Sequence, residues 1–98
     1  MKQPAIYIMA SQRNGTLYVG VTSDLVKRVW EHREGVTDGF TKDYNCKTLV
    51  WYEQADTMAA AIHREKRLKK YTRQAKLKLI ESQNPQWKDL WTEITGLP

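Results

Sequence analysis

Five side chains in this 98-residue sequence have the types and spacing from which chemistry could be built: Tyr7, Tyr18, Arg28, His32 and Glu65. Tyr7 lies in Ala5-Ile6-Tyr7-Ile8-Met9-Ala10 and Tyr18 in Thr16-Leu17-Tyr18-Val19-Gly20-Val21. Both are short runs of strand-forming residues, and Asn14-Gly15 between them is a strong turn signal, so they read as an antiparallel hairpin. Directly opposed residues of a hairpin share a face. Tyr7 and Tyr18 differ in parity, as do Asn14 and Gly15, so any unbulged register puts both rings on one face. Gly20 joins Tyr18 there and leaves open space, while Ile6 and Ile8 line the other face with Leu17, Val19 and Val21. Two readings stay open: an aromatic pair filling the core, or two phenols offered to a cleft.

The pattern from Asp24 to Glu34 is helical, with oxygens at Thr22, Ser23 and Asp24 to cap it and Gly35 to stop it. Leu25, Val26, Val29 and Trp30 form its apolar stripe. Arg28 and His32, four residues apart, project from one side at the border of that stripe. A border position lets a polar head reach a cleft while its stem packs. An ordinary boundary arginine with a solvated histidine fits the same spacing.

Glu65 is the anomaly. It falls within a later helical stripe that runs through Met58, Ala61, Ile62 and Leu68. A carboxylate is seldom buried unpaired, because desolvating its charge is costly. Glu65 therefore needs an arginine or lysine, a hydrogen-bond network, or a metal. A buried ion pair with Arg28 or a nearby lysine is as compatible with the pattern as a functional site. No HExxH helix, paired-cysteine zinc motif or phosphate-cradling loop occurs. The lone Cys46 cannot form an internal disulfide, fits a reducing compartment, and reads as a small strand residue.

The elements that must position these residues follow from the same pattern. Lys47–Glu53 reads as a third strand after a loop at 36–44. Asp56 can cap a second helix running to about Tyr71, and Thr72 a third. Asn84-Pro85 is a break, and Pro85 suits the first turn of a short helix in which Trp87 and Trp91 would share a face. The order is β-β-α-β-α-α-α: an α+β fold with a small three-stranded antiparallel sheet flanked by helices, in one domain spanning residues 1–98. Four tryptophans and five tyrosines suit the compact core of so short a chain.

The formal charge is +5. Half of the sixteen cations lie between Arg64 and Lys78, where Glu65 is the one acid. Such a stretch is a solvated helix face or a phosphate-facing surface, and its density favours the latter. No apolar run reaches the length of a membrane span and the N-terminus lacks a signal-peptide pattern, so a soluble cytoplasmic protein is expected.

Taken together the residues resemble the GIY-YIG nuclease family. Ala5-Ile6-Tyr7 resembles its first signature triplet, with alanine for the leading glycine, and Tyr18-Val19-Gly20 the second. Arg28 and His32 match the arginine and histidine of the following helix, Glu65 the metal-binding glutamate of a later one, and Asn84 is a weaker, auxiliary match. The resemblance runs from about Pro4 to Trp91 and is to the short stand-alone bacterial members. It implies a metal-dependent endonuclease acting on nucleic acid, with DNA expected over RNA. Glu65 would hold Mg²⁺ or Mn²⁺, Arg28 would stabilise developing charge, Tyr18 or Tyr7 would position or deprotonate the attacking water, and His32 would shuttle a proton or hold a tyrosine. Lys66, Lys69, Lys70, Arg73 and Lys76 would contact the phosphates. The competing readings are a binding module that keeps the fold without turnover, and a protein-interaction domain using aromatics around Trp87 and Trp91.

Overall fold

Strand β1 (Ala5–Ala10) is apolar along its length and every residue in it is buried. A strand without a polar face needs cover on both sides, and as a central strand it has a partner at each edge. Both conditions are met: β2 (Leu17–Thr22) and β3 (Thr48–Gln54) pair with it antiparallel in the order β2-β1-β3. The structure, a computed structural model, describes residues 3–36 and 44–97, and most of the loop expected at 36–44 lies outside them. Helices α1 (Leu25–Glu34), α2 (Met58–Lys69), α3 (Arg73–Gln83) and α4 (Trp91–Thr95) complete the expected β-β-α-β-α-α-α order. The α+β class and the three-stranded antiparallel sheet are those read from the sequence.

The hairpin register pairs Tyr7 with Gly20 and Met9 with Tyr18. Both tyrosines therefore share a face, as their parity requires. The turn itself spans Gln12–Gly15, closed by the Gly15 N–H donating to the Gln12 carbonyl at 2.9 Å. Asn14, not Gly15, takes the left-handed conformation, with φ 58°; asparagine tolerates that region better than most residues. The space beside Gly20 is not open. A Cβ there would come within 2.4 Å of the Tyr7 phenol, so the Tyr7 ring lies on the bare backbone of Gly20.

The β1–β3 ladder carries a bulge. Ile8 faces Trp51 and Met9 faces Leu49, so Val50 is an extra residue. The insertion reverses the alternation of β3. Val50 and Trp51 both join Ile6, Ile8, Ala61, Leu68, Ile80 and Trp87 on one face, under α2 and α3. Leu49 and Tyr52 both join Tyr7, Met9 and Val29 on the other, under α1 and α4. The Asn84 amide holds the bulge: Nδ2 donates to the carbonyls of Val50 (3.0 Å) and Lys88 (2.9 Å), and Oδ1 accepts from the Lys88 N–H at 3.0 Å.

Several local expectations are corrected. In α1 the buried residues are Val29 and His32, while Val26 and Trp30 are exposed. His32 is thus not solvated. Thr57, not Asp56, caps α2 by accepting from the Ala60 N–H, and the helix ends at Lys69. Its buried line is Ala61 and Leu68, and Met58 and Ile62 are exposed. Thr72 caps α3 as expected. No helix starts at Pro85: Trp87 adopts φ 55° and α4 begins only at Trp91. Trp87 is buried on the α2–α3 side and Trp91 packs on the α1–α4 side, so they share no helix face. Cys46 is buried two residues before β3.

The contact between Gly20 and Tyr7 sets a test of this packing. Gly20→Ala forces a methyl group into a buried ring and is expected to lower unfolding stability by about 1–3 kcal/mol. An unchanged urea midpoint for that variant would show that the ring can move aside freely.

Candidate active site

The tyrosine face is closed by α1, and Asp24 fixes where that helix starts by accepting from the Lys27 N–H at 3.3 Å. From that start, Val29 and His32 point into the sheet and Arg28 falls at the margin, its side chain 38% exposed. His32 completes a three-ring cluster. Its centroid lies 5.6 Å from Tyr7 and 5.4 Å from Tyr18, and the two tyrosine rings are 6.3 Å apart. All three contacts are tilted, as aromatic rings prefer. Tyr7 Oη lies 2.9 Å from His32 Nε2.

Burial governs the protonation of this cluster. It pulls the His32 imidazole down to about 4, helped by the nearby Arg28 charge, so the ring is neutral at physiological pH. Burial also pushes the Tyr7 phenol up to about 12, although a hydrogen bond from Arg28 pulls the other way. Guanidinium only donates. The Tyr7 oxygen therefore accepts from Arg28, and it shares a second hydrogen bond with His32 Nε2 whose direction follows the imidazole tautomer. Tyr18 is half-buried and reaches the surface of the cluster.

Arg28 has a second partner that sequence reasoning missed. Its Nη1 pairs with Glu31 Oε1 at 3.3 Å. The spacing of three residues on a helix was the signal. A cavity of about 200 Å³ adjoins them, lined by Thr22, Ser23, Asp24, Lys27, Arg28 and Glu31.

Glu65 stands differently. The helix that carries it covers the opposite face of the sheet, since Ala61 and Leu68 pack with Ile6 and Ile8. Within α2, Arg64 turns toward β3, where its Nε donates to Glu53 Oε1 at 3.2 Å. Glu65 and Lys69 form the pair on the other flank, with Oε2 to Nζ at 3.0 Å. That flank looks along β2, because Lys69 lines a cavity of about 330 Å³ together with Leu17, Tyr18, Val19 and Lys76. The structure thus gathers Tyr7, Tyr18, Arg28 and His32 directly. The expectation that Glu65 shares one cleft with them is not met: its helix lies across the sheet, and the carboxylate is linked to that side only through Lys69, which pairs with Glu65 and lines the same cavity as Tyr18 at the edge of β2. Asn84 is held in the bulge described above. Its hydrogen bonds account for it as a tie between β3 and the C-terminal segment.

The basic stretch divides by what its charges touch. Arg64 is committed to Glu53 and to the Tyr71 hydroxyl. Arg73 donates from Nη2 to the carbonyls of Asn14 and Gly15, at 2.6 and 2.7 Å, and so clamps the hairpin turn to α3. Lys66 and Lys70 are exposed. Lys76 is half-buried on the wall of the cavity beside Tyr18. Trp87 is too deeply buried, at 7% exposure, to serve as an interaction surface.

Whether Glu65 fits a metal turns on its surroundings. Its side chain is 14% exposed and its charge is met by a lysine that is itself 52% exposed, a cation that can swing away. Among the described residues no three His, Cys, Asp or Glu side chains form a cage. One enclosed carboxylate suits a small hard ion, which keeps most of its waters and takes further oxygens from a phosphate. The residues present fit Mg²⁺ or Mn²⁺ in that mode.

The chain is similar to several known proteins. A UPF0213 protein of Staphylococcus saprophyticus is 39% identical over 80 residues, spanning 82% of this chain and 96% of the relative. A UPF0213 protein of Haloquadratum walsbyi is 41% identical over 66 residues, spanning 67% of this chain and 74% of the relative. The solution NMR structure of the UPF0213 protein BH0048 from Bacillus halodurans shares the fold, with a TM-score of 0.56 at 21% identity, over 92% of this chain and 95% of that one. The family model described as the GIY-YIG catalytic domain matches residues 3–78, the stretch that holds both tyrosines, Arg28, His32 and Glu65, and the chain belongs to that family.

Proposed function

We propose that the chain is a divalent-metal-dependent endonuclease that hydrolyses phosphodiester bonds in nucleic acid, with DNA expected over RNA. Proteins with this domain are usually nucleases, generally use divalent metals, and interact with nucleic acid. The observation that carries the reading is the cluster of Tyr7, Tyr18 and His32 with Arg28 at its margin. It is an expensive way to fill a core, since it buries an imidazole and a phenol beside a charge.

Each side chain has a task that its environment suits. Arg28, part-exposed and planar, can leave Glu31 to meet a phosphate and stabilise charge that develops there. Tyr7, 1% exposed and with its phenol near 12, is a poor base; it is suited to hold His32 and Arg28 in place. Tyr18 opens onto the cavity along β2 and is the phenol able to orient an attacking water. His32, neutral and buried, hydrogen-bonds the Tyr7 hydroxyl and packs against the Tyr18 ring; with its imidazole pulled down to about 4 it is suited to hold the phenols in place rather than to take their protons. Glu65 would hold Mg²⁺ or Mn²⁺. The ion, when bound, supplies polarisation of a phosphate oxygen and support for the leaving oxygen. Lys66, Lys69, Lys70 and Lys76 present ammonium groups to a phosphate backbone, and Arg73 adds its charge while bracing the turn.

The direct test is a cleavage screen on single-stranded, duplex and branched DNA and RNA, with Mg²⁺, Mn²⁺ or chelator. Wild type is expected to cleave at least one substrate when metal is present. Arg28→Ala should lower the rate by about 10²–10³-fold. Glu65→Gln should abolish cleavage while the fold persists, because the half-exposed Lys69 stays hydrated without its partner. Tyr18→Phe should cost more turnover than Tyr7→Phe. Metal-independent binding with no cleavage of any substrate would instead establish a binding module.

The salt dependence of binding should follow the division of the basic stretch. Lys70→Ala is expected to reduce the log–log salt slope by about 0.9 on duplex DNA if it contacts one phosphate. Arg64→Ala should change mainly folding stability. Slopes identical to wild type in all lysine variants would return these lysines to solvated surface.

His32 makes folding pH-dependent. The unfolded chain takes up the imidazole proton near the ordinary 6.5, the folded chain only near 4. This contribution is fully present above 6.5 and is lost as pH falls toward 4, by up to about 3 kcal/mol. Urea unfolding of His32→Asn should show a flatter dependence between pH 7 and 4. Parallel profiles for variant and wild type would mean that the imidazole protonates equally in both states.

A further inference from the structure

Lys69 belongs to two places at once. Its ammonium lies 3.0 Å from the Glu65 carboxylate, and it also walls the cavity shared by Leu17, Tyr18, Val19 and Lys76. A second cavity, of about 260 Å³ and lined by Thr16, Leu17, Arg73 and Lys76, has Leu17 and Lys76 in common with the first. The two make one trough along the outer edge of β2, with cations on the helix side. Of the cations on that trough, Arg73 is already bound to the hairpin carbonyls, and Lys69 is neutralised by Glu65. In the free protein the trough therefore has fewer uncommitted donors than its residue types suggest: Arg73 keeps its charge but has donors engaged by the turn, and Lys69 has its charge offset by Glu65.

The two partners of this ion pair are unequal. Glu65 is enclosed and Lys69 is half-exposed, on a flexible four-carbon stem. A divalent ion and a lysine ammonium compete for the same carboxylate, and they repel each other at close range. We infer that Lys69 is a two-position residue: it neutralises Glu65 in the free protein and, when a divalent cation takes Glu65, turns into the trough to hold a phosphate of the bound strand. The inference rests on the reading of Glu65 as a metal-binding residue. Its consequence is a coupling between the two ligands. Metal at Glu65 releases a cation to the trough, and a phosphate that draws Lys69 away leaves Glu65 open to metal. Such coupling is reciprocal by linkage, so each ligand tightens the other by the same factor.

Calorimetric titration of Mn²⁺ into the full chain, without nucleic acid, tests the first half. Lys69→Gln is expected to bind Mn²⁺ about three- to tenfold more tightly than wild type, and Lys69→Arg about as wild type does. Glu65→Gln should bind none at this site. The second half is read from oligonucleotide binding in an Arg28→Ala background, with chelator and with Mn²⁺. Mn²⁺ should tighten binding when Lys69 is present, and the gain should vanish in Lys69→Gln. If Glu65→Gln abolishes Mn²⁺ binding but Lys69→Gln leaves the affinity equal to or weaker than wild type, the coupling is overturned and the metal site stands. If wild type binds no Mn²⁺, or Glu65→Gln binds it as wild type does, both are overturned.

Discussion

The Tyr7 ring rests on the backbone of Gly20, and the site depends on that contact. A side chain at position 20 would fill the space the ring occupies. With the ring there, its hydroxyl ends beside His32, and the imidazole in turn packs at a tilt against Tyr18. Close packing makes this arrangement rigid, since a buried ring with neighbours on every side has few rotamers left. The same burial sets the chemistry. It keeps the imidazole neutral and the Tyr7 phenol protonated, so the polar atoms at the centre of the cluster can exchange hydrogen bonds without carrying charge. Charge is confined to the rim, on Arg28 and Glu31, where water still reaches.

The sheet divides labour between its faces. One receives α2 and α3 and carries most of the aliphatic core. The other receives α1 and α4 and carries the polar aromatic cluster. A single sheet can serve both because the bulge at Val50 changes the phase of β3 midway. Without the extra residue, regular alternation would place Val50 and Trp51 on opposite faces and break one of the two clusters. Asn84 matters for the same reason, since its amide satisfies a carbonyl at the bulge.

What could be read from the sequence was local. The shared face of Tyr7 and Tyr18 follows from parity in one hairpin and needs no tertiary information. The Asp24 and Thr72 caps, and the need of Glu65 for a cation, are equally local. The partner of Glu65 was also within reach, because Lys69 stands four residues on along the same helix. What escaped was set by distant packing. Val26, Trp30, Met58 and Ile62 are apolar and correctly spaced, yet each is left exposed while Val29, Ala61 and Leu68 are buried. The bulge at Val50 has no signature in composition. The spacing of Trp87 and Trp91 suits one helix, but the chain between them crosses the end of the sheet, where the Leu90 N–H donates to the Leu49 carbonyl at 2.8 Å. The division of Arg64 and Arg73 from the neighbouring lysines was illegible too, since their acceptors lie on β3 and on the hairpin turn.

The place of β2 in the sheet has a consequence of another kind. Being outermost, it has a partner strand on one side only. A strand edge with unpaired backbone groups is a template for pairing with another chain, and so an aggregation hazard. Here that edge runs beside Lys69 and Lys76. A second copy presenting its own edge would have to bring the Lys76 charges together and to desolvate them, together with each Lys69–Glu65 pair. Placed there, a lysine works against edge-to-edge pairing of two copies, whatever else it contacts.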